Sequence, residues 1–600
     1  MIKDKSKVFL IFIIIFHCFL FLFLFFFVKK EYHSDEMWLW GIANCKESPH
    51  LYRDLNNNNI HLGKWEDAKI FNDYLTVSED ERFDFSIPYR NSLKDVPPLV
   101  PFILHFISSL FPGVFSFCFI IPIILISIVA SDYFLYNIVV NSGLSSKMAI
   151  ITVLFFSFSV GGIDTFIFLR HYSFFVMECL MLLYLHMVIY KRGLISNRVI
   201  SGIIICNIMG VMTHHYYWVF AFILGCYYLI YFLFVKKYKE LLKYVITMFS
   251  GVIIGFICYP CVLSSFLYWD GEVFGKGYPF NMQLLMAVRI ILFQLIGIAP
   301  DNGLLYGLRS LGIVFIYAFI VLVPLLIYLH IKGILINIIK YLKKIIGGKI
   351  IKFNIFISEC GFLSGICILE VIAAVVIVSK TINMFAMQHS TNRYLFYIYP
   401  LVIILLIVLL RALFCTFLEK KKAGTLMFIT VLFILIFTYC NSWFAYIGKE
   451  NKEGLTCSDI HNSNIIIILD YPWHMVCLSN IISPDNKILM LRYEDLDDYM
   501  NIIEKADFEK KTYIVSGVDI DNIADDVQAD GDNSEMDMKK YKDDTVNESE
   551  DQYDNDEENA VLDKWINDHF SQIDKCKNTN YVGKEKTINF HYRVYDLITN

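Results

Sequence analysis

The sequence predicts a polytopic α-helical membrane protein of about eleven transmembrane helices, with a small extracytoplasmic α/β domain at the C-terminal end. Three observations carry this. Long apolar runs recur through the first three quarters of the chain. Lysine and arginine fall in alternate connections between them. After residue 446 the pattern changes to short apolar runs separated by polar helix-like stretches. Composition agrees: 56% of residues are hydrophobic, only 18% are charged, and mean hydropathy is +0.52. Soluble domains carry about 25% charged residues, so an ordinary soluble globular protein is excluded.

A helix needs about 20 apolar residues to cross a bilayer. The first run, residues 8–28, has that length. Lys3, Lys5 and Lys7 precede it and Lys29 and Lys30 follow it, without the small-residue cleavage site of a signal peptide, so it reads as an uncleaved anchor. Further spans are expected near 114–138, 148–162, 165–190, 199–213, 216–235, 244–263, 308–330, 354–379, 394–412 and 425–446. Residues 283–300, which contain Arg289, read instead as a re-entrant or interfacial helix.

Basic residues mark cytoplasmic loops. With the N-terminus inside, alternation puts every strongly basic connection on the cytoplasmic side. These carry Lys147; Lys191, Arg192 and Arg198; Lys236, Lys237, Lys239 and Lys243; the lysines of 340–352; and Arg411 with Lys420, Lys421 and Lys422. Residues 29–113 and 447–600 are then extracytoplasmic. In the second region 464–472, 487–493 and 511–517 read as strands and 497–508 as a helix, which suggests an α/β domain. Residues from about 519 to 558 are acidic and poor in apolar side chains, the signature of a disordered insertion.

Ionisable residues at membrane depth are costly and mark function. Four groups stand out: Asp35 and Glu36; Arg170, His171 and Tyr172; His214 and His215 with Tyr216 and Tyr217; and His389, Arg393 and Tyr394. The lysine and arginine loops set the topology without using these residues, yet all four groups fall on its outer side. Arginines suit an anionic lipid phosphate, and a carboxylate suits removal of a proton from an acceptor hydroxyl. A divalent cation would be compatible with such chemistry, although no tight metal-ligand spacing is present.

At these residues the sequence resembles the polyprenyl-phosphate-sugar-dependent glycosyltransferases of the GT-C fold. It is most similar to the protein O-mannosyltransferases, the lipid A aminoarabinose transferases and their bacterial relatives. The resemblance rests on SDEMWLWGIAN (34–44), PPLVPFILHFISSLF (97–111), FLRHYSFFVMECLMLLYL (168–185) and THHYYWVF (213–220), with NRYLFYIYP (392–400) in support, and spans residues 8–446. One departure is Val96, where the family often carries His before Pro-Pro; Asp95 and His105 are the nearby alternatives.

The resemblance implies a GT-C domain over 1–446 and the following assignments. Asp35 is the catalytic base or acceptor-binding carboxylate. Glu36 positions the acceptor or a metal. Arg170 and Arg393 bind the donor phosphate. Tyr172, His214, His215 and Tyr394 line the site. The implied partners are a polyprenyl-phosphate sugar, membrane lipid and an acceptor glycan, glycolipid or protein, in the plasma membrane, with no nucleic acid. A transporter or flippase of lipid-linked sugars is the alternative. It would favour midplane polar sites and repeated halves, and no internal repeat is visible. The tryptophans and tyrosines near span ends read as an aromatic belt.

Overall fold

The computed structural model describes the chain except residues 1–4, 31, 48, 52–60, 94–95, 262–278, 299–360, 383, 385–389, 448–460, 470–474, 479–481, 494–495, 505–509, 518–555, 574–575, 587–590 and 600. The expected span at 308–330, Asp95, His389 and nearly all of the acidic insertion lie outside the described residues.

The chain divides into two compact units. One comprises residues 1–28, 96–100 and 120–447; the other comprises 29–95, 101–119 and 448–600.

The first unit is helical. Its elements are α1 (Lys5–Phe23), α6 (Ile121–Asn141), α7 (Ser146–Phe158), α8 (Val160–Ile167), α9 (Tyr172–Arg192), α10 (Asn197–Val211), α11 (Tyr217–Phe234), α12 (Tyr238–Cys258), α13 (Phe280–Ile296), α14 (Gly361–Thr381), α15 (Tyr399–Phe417) and α16 (Lys420–Asn441). A 3-10 stretch, Ser390–Ile398, leads into α15. Eight helices among the described residues are long and apolar enough to cross a membrane, so the protein is a multi-pass helical membrane protein.

Two of the remaining expected spans differ from simple helices. The run at 148–162 is part of a pair, α7 and α8, bent by 61°. The break has a local cause. Ser159 caps α8, accepting from the Gly162 N–H at 3.0 Å and donating to the Phe156 carbonyl at 3.1 Å. A Cβ on Gly162 would lie 1.8 Å from that carbonyl oxygen, so the turn requires glycine. The run at 199–213 forms α10, only 15 residues long. The stretch at 283–300, expected to be re-entrant or interfacial, contains α13, a 17-residue apolar helix.

Apolar helices share no hydrophobic drive to associate in lipid, so buried polar contacts fix their mutual positions. One such contact joins three helices. Asp132 of α6 meets His17 Nδ1 of α1 at 3.0 Å and accepts from Ser157 Oγ of α7 at 3.0 Å.

The second unit contains α2 (Ser34–Asn44), α3 (Lys69–Leu75), α4 (Ser86–Ser92), most of α5 (Leu99–Leu110), α17 (Leu496–Glu504) and α18 (Asp556–Phe570). Its six-stranded sheet has the order β1-β3-β2-β4-β6-β5. The strands are β1 (Trp65–Asp67), β2 (Asn464–Leu469), β3 (Lys487–Arg492), β4 (Thr512–Gly517), β5 (Cys576–Lys586) and β6 (His591–Thr599). The three runs read as strands form β2, β3 and β4, which pair in parallel. Strand β2, NIIIIL, is buried along its whole length, as a strand covered on both faces must be.

Three strands were not anticipated. β5 and β6 pair antiparallel at one edge, and the polar sequence CKNTNYVGKEK of β5 hides its strand character. β1 comes from the segment between the first two spans and pairs antiparallel with β3, placing Trp65 opposite Leu489. The two regions flanking the helical unit in sequence thus share one sheet.

Helix α2 is packed closely within this unit. A Cβ added to Gly41 would sit 1.9 Å from the Tyr74 ring of α3. Overpacking of this kind costs about 1–3 kcal/mol. Gly41→Ala is therefore expected to lower the thermal unfolding midpoint of the purified protein in detergent; an unchanged midpoint would show that Tyr74 yields freely.

Candidate functional site

The helical unit brings Arg170, Tyr172, His214, His215, Arg393 and Tyr394 into one cluster. They arrive from three breaks in helical structure: the α8–α9 junction, the α10–α11 turn and the 3-10 stretch before α15. Arg170, His171, Tyr172, His214 and Arg393 are buried, while His215 and Tyr394 keep partial exposure. The rings interlock. His171 and His214 lie 5.2 Å apart between centroids, Tyr172 and His214 5.2 Å, and Tyr172 and Tyr394 6.2 Å. His214 stacks on Phe175 at 4.4 Å with 6° between planes. The Arg393 guanidinium lies 5.1 Å from the Tyr394 ring centre and 6.0 Å from that of Phe168, within reach of cation–π attraction.

Local bonds hold the histidine turn. Thr213 Oγ1 donates to Glu178 of α9 at 3.0 Å, and the Tyr216 N–H donates to His214 Nδ1 at 3.0 Å. Nδ1 is therefore the acceptor nitrogen. Burial, followed by the charges of His215 and Arg170, holds the His214 imidazole well below its ordinary value of 6.5, so the ring is neutral at pH 7.

A second layer fixes Arg393. Asp164 of α8 is fully buried and accepts from the Ala445 N–H at 3.1 and 2.9 Å and from Asn392 Nδ2 at 3.2 Å. Asn392 in turn accepts from the Tyr446 hydroxyl at 2.9 Å, and Tyr446 stacks on Phe168 at 4.1 Å. Asp164, Asn392 and Tyr446 were not read as site residues from sequence. The available signal was a lone carboxylate in the apolar run GGIDTFIF, which is costly unless satisfied.

The acidic pair belongs to the second unit, at the first turn of α2. His33 caps the helix: its Nδ1 accepts from the Asp35 N–H at 3.1 Å, while its own N–H donates to Glu36 Oε2 at 2.7 Å, completing a capping box. The two carboxylates then diverge. Lys29 Nζ donates to both Glu36 oxygens, at 3.0 and 3.2 Å, and both side chains are fully buried. Glu36 therefore ties the start of α2 to Lys29. Asp35 keeps 12% of its side chain exposed, with its Oδ1 3.9 Å from His33 Nδ1. At a helix N-terminus the macrodipole favours its charged form. Cys477, beyond β2, lies close enough that the charges of Asp35 and Glu36, after burial, push its thiol up.

His105 Nδ1 bonds the Ala43 carbonyl at 2.8 Å and its ring packs on Phe85, so it holds the C-terminal end of α2. Among the described residues, no group of three or more His, Cys, Asp or Glu side chains is placed to hold a metal ion.

No protein-family model matches this sequence, and no curated protein matches it.

Two outcomes follow. Removing one partner of a buried ion pair costs about 3–5 kcal/mol. Glu36→Ala should therefore destabilise the protein strongly and Asp35→Asn only slightly, as read by thermal unfolding; equal effects would contradict this division. For His214, the folded state disfavours the proton while the unfolded state binds it near pH 6.5. The stability from its neutral burial is present above that pH and is lost as pH falls below it, by up to about 1.4 kcal/mol per pH unit. Unfolding midpoints between pH 7.5 and 5 should fall less steeply in His214→Asn than in the wild type.

Proposed function

We propose that this protein is a GT-C glycosyltransferase that moves a sugar from a polyprenyl-phosphate carrier to an acceptor outside the plasma membrane. The observation that carries this reading is the buried group of Arg170, His214 and Arg393, walled by Tyr172 and Tyr394, at the ends of apolar helices. Such a site suits an anionic headgroup on a hydrocarbon tail. Guanidinium groups hold phosphate oxygens with directed N–H donors, the rings form walls for a sugar, and the neutral His214 leaves the arginines to provide the positive charge.

In this reading the acceptor hydroxyl gives its proton to the Asp35 carboxylate as its oxygen bonds to the anomeric carbon. The bond from that carbon to the phosphate oxygen breaks, its electron pair leaves with the polyprenyl phosphate, and Arg170 and Arg393 stabilise the departing charge. Direct displacement inverts the anomeric carbon. Glu36 positions Asp35 through the α2 cap, and His215 lines the entrance. In this reading the chain has about eleven spans, with the N-terminus cytoplasmic and residues 29–113 and 447–600 outside. A divalent cation on the phosphate is compatible with these steps.

The transporter reading draws on Glu178 and Glu370, two buried carboxyl groups within α9 and α14, because intramembrane acids are common in transport pathways.

The decisive experiment supplies purified protein with radiolabelled polyprenyl-phosphate sugars and membrane extract. Transfer by the wild type is expected. Asp35→Asn should lose about 10²–10⁴-fold in kcat, as expected for loss of a general base. Arg170→Ala and Arg393→Ala should each lose about 10²–10³-fold, as for a removed charge-stabilising donor. Flipping of the lipid in liposomes without transfer would replace this reading with the transporter.

A further inference from the structure

Helix α2 is buried along almost all of its length. From Ser34 to Asn44, only Trp38 retains intermediate exposure. Its neighbour two residues on behaves in the opposite way: Trp40 is fully buried, edge-on to Phe115 at 5.7 Å and to Phe117 at 5.3 Å. Helix geometry explains the contrast. At 3.6 residues per turn, Trp40 lies about 40° from Glu36 around the axis, whereas Trp38 lies about 60° from Asp35. The helix thus has one face that anchors it, with Glu36 and Trp40, and a second that carries the partly exposed acid beside the partly exposed indole. Residues three apart on a helix are neighbours, with Cβ atoms about 5–6 Å apart.

The indole is also braced. The His50 ring meets Trp38 edge-on, with centroids 5.4 Å apart and planes at 74°. Trp38 thus combines one ring contact with intermediate exposure on a helix that is otherwise buried, and it stands one helical turn from the Asp35 carboxylate.

We infer that Trp38 is the platform on which the acceptor's sugar ring stacks, and that the acceptor is therefore a saccharide rather than a protein hydroxyl. The inference rests on the transferase reading and deepens it. A pyranose has an apolar face of axial C–H groups that lies flat on an indole, and its hydroxyls project from the ring edge. A ring seated on Trp38 presents an edge hydroxyl towards the neighbouring Asp35, one helical turn away. A peptide hydroxyl on a short side chain has no such apolar face and gains nothing from the indole.

The test uses the full-length protein with one polyprenyl-phosphate sugar donor and two kinds of acceptor: hexose and N-acetylhexosamine disaccharides, and a hexapeptide containing Ser and Thr. The variants are Trp38→Phe, which keeps an aromatic face, and Trp38→Leu, which keeps apolar bulk without one. Thermal unfolding checks that both fold. The wild type is expected to glycosylate the disaccharides and not the peptide. Trp38→Leu should raise the disaccharide KM roughly tenfold, with kcat and the KM for donor little changed, while Trp38→Phe stays near the wild type. Transfer to the peptide alone, or an unchanged KM in folded Trp38→Leu, would overturn the platform and leave the transferase standing. Loss in kcat alone would assign Trp38 to helix positioning and would also overturn it. No transfer from the donor to any acceptor or to water would instead remove the transferase reading itself.

Discussion

An apolar medium leaves a broken helix with donors and acceptors that nothing in the surroundings can satisfy. Non-helical backbone at membrane depth is therefore tolerated only where protein groups close it. The helical unit follows this constraint at three breaks. Ser159 closes the bend between α7 and α8. At the next junction the Phe168 N–H bonds the Asp164 carbonyl and the Arg170 N–H bonds that of Phe168. In the α10–α11 turn, the N–H groups of Thr213 and His214 return to the Gly210 carbonyl, His214 accepts from Tyr216, and Leu99 caps the Met212 carbonyl. The breaks are where polar residues are affordable, and the cluster of arginines, histidines and tyrosines is assembled from them.

The same constraint explains why Asp164 matters although it does not belong to the ring cluster. Its two oxygens join α8, the 3-10 stretch and the segment after α16 through Ala445 and Asn392, and Asn392 passes the connection to Tyr446. A fully buried network of this kind is rigid when complete and costly when one member is lost. Arg393 is the residue after Asn392, so its place depends on a carboxylate more than two hundred positions earlier in the chain.

Charge in an apolar background was the legible signal. It located Arg170, His214 and Arg393 in the sequence because each stands out against the surrounding Phe, Ile and Leu, and the structure gathers them. The same signal is present at Asp132, Asp164, Glu178 and Glu370, but single carboxylates within a run do not announce their partners. Periodicity gave the strand character of β2, β3 and β4, whose apolar residues are continuous. It could not give β1 or β5, since three residues, Trp65–Asp67, make too short a run and β5 is an edge strand with polar sequence. The unequal fates of Asp35 and Glu36 follow the 100° between helical neighbours, but nothing in the sequence marks Lys29 as the residue that captures Glu36.

α2 is held by contacts from several segments: Asn44 Nδ2 donates to the Leu75 carbonyl at 2.8 Å, Asn91 Nδ2 to those of Ile42 and Cys45, and His105 bonds Ala43. The segment carrying Leu75 is itself registered on β3 through Trp65–Asp67, with Ala68 N–H bonded to the Asn486 carbonyl. β3 pairs with β2, and β2 lies between β3 and β4. Pairings of such long sequence separation form late, because the entropy of closing the intervening chain is lost before the contacts compensate. Here the intervening chain includes the helical unit's elements from α6 to α16. The contacts that hold α2, and with it Asp35, therefore run through the Leu75 segment to strands supplied by the C-terminal region, so the placement of the acid depends on pairing across that separation.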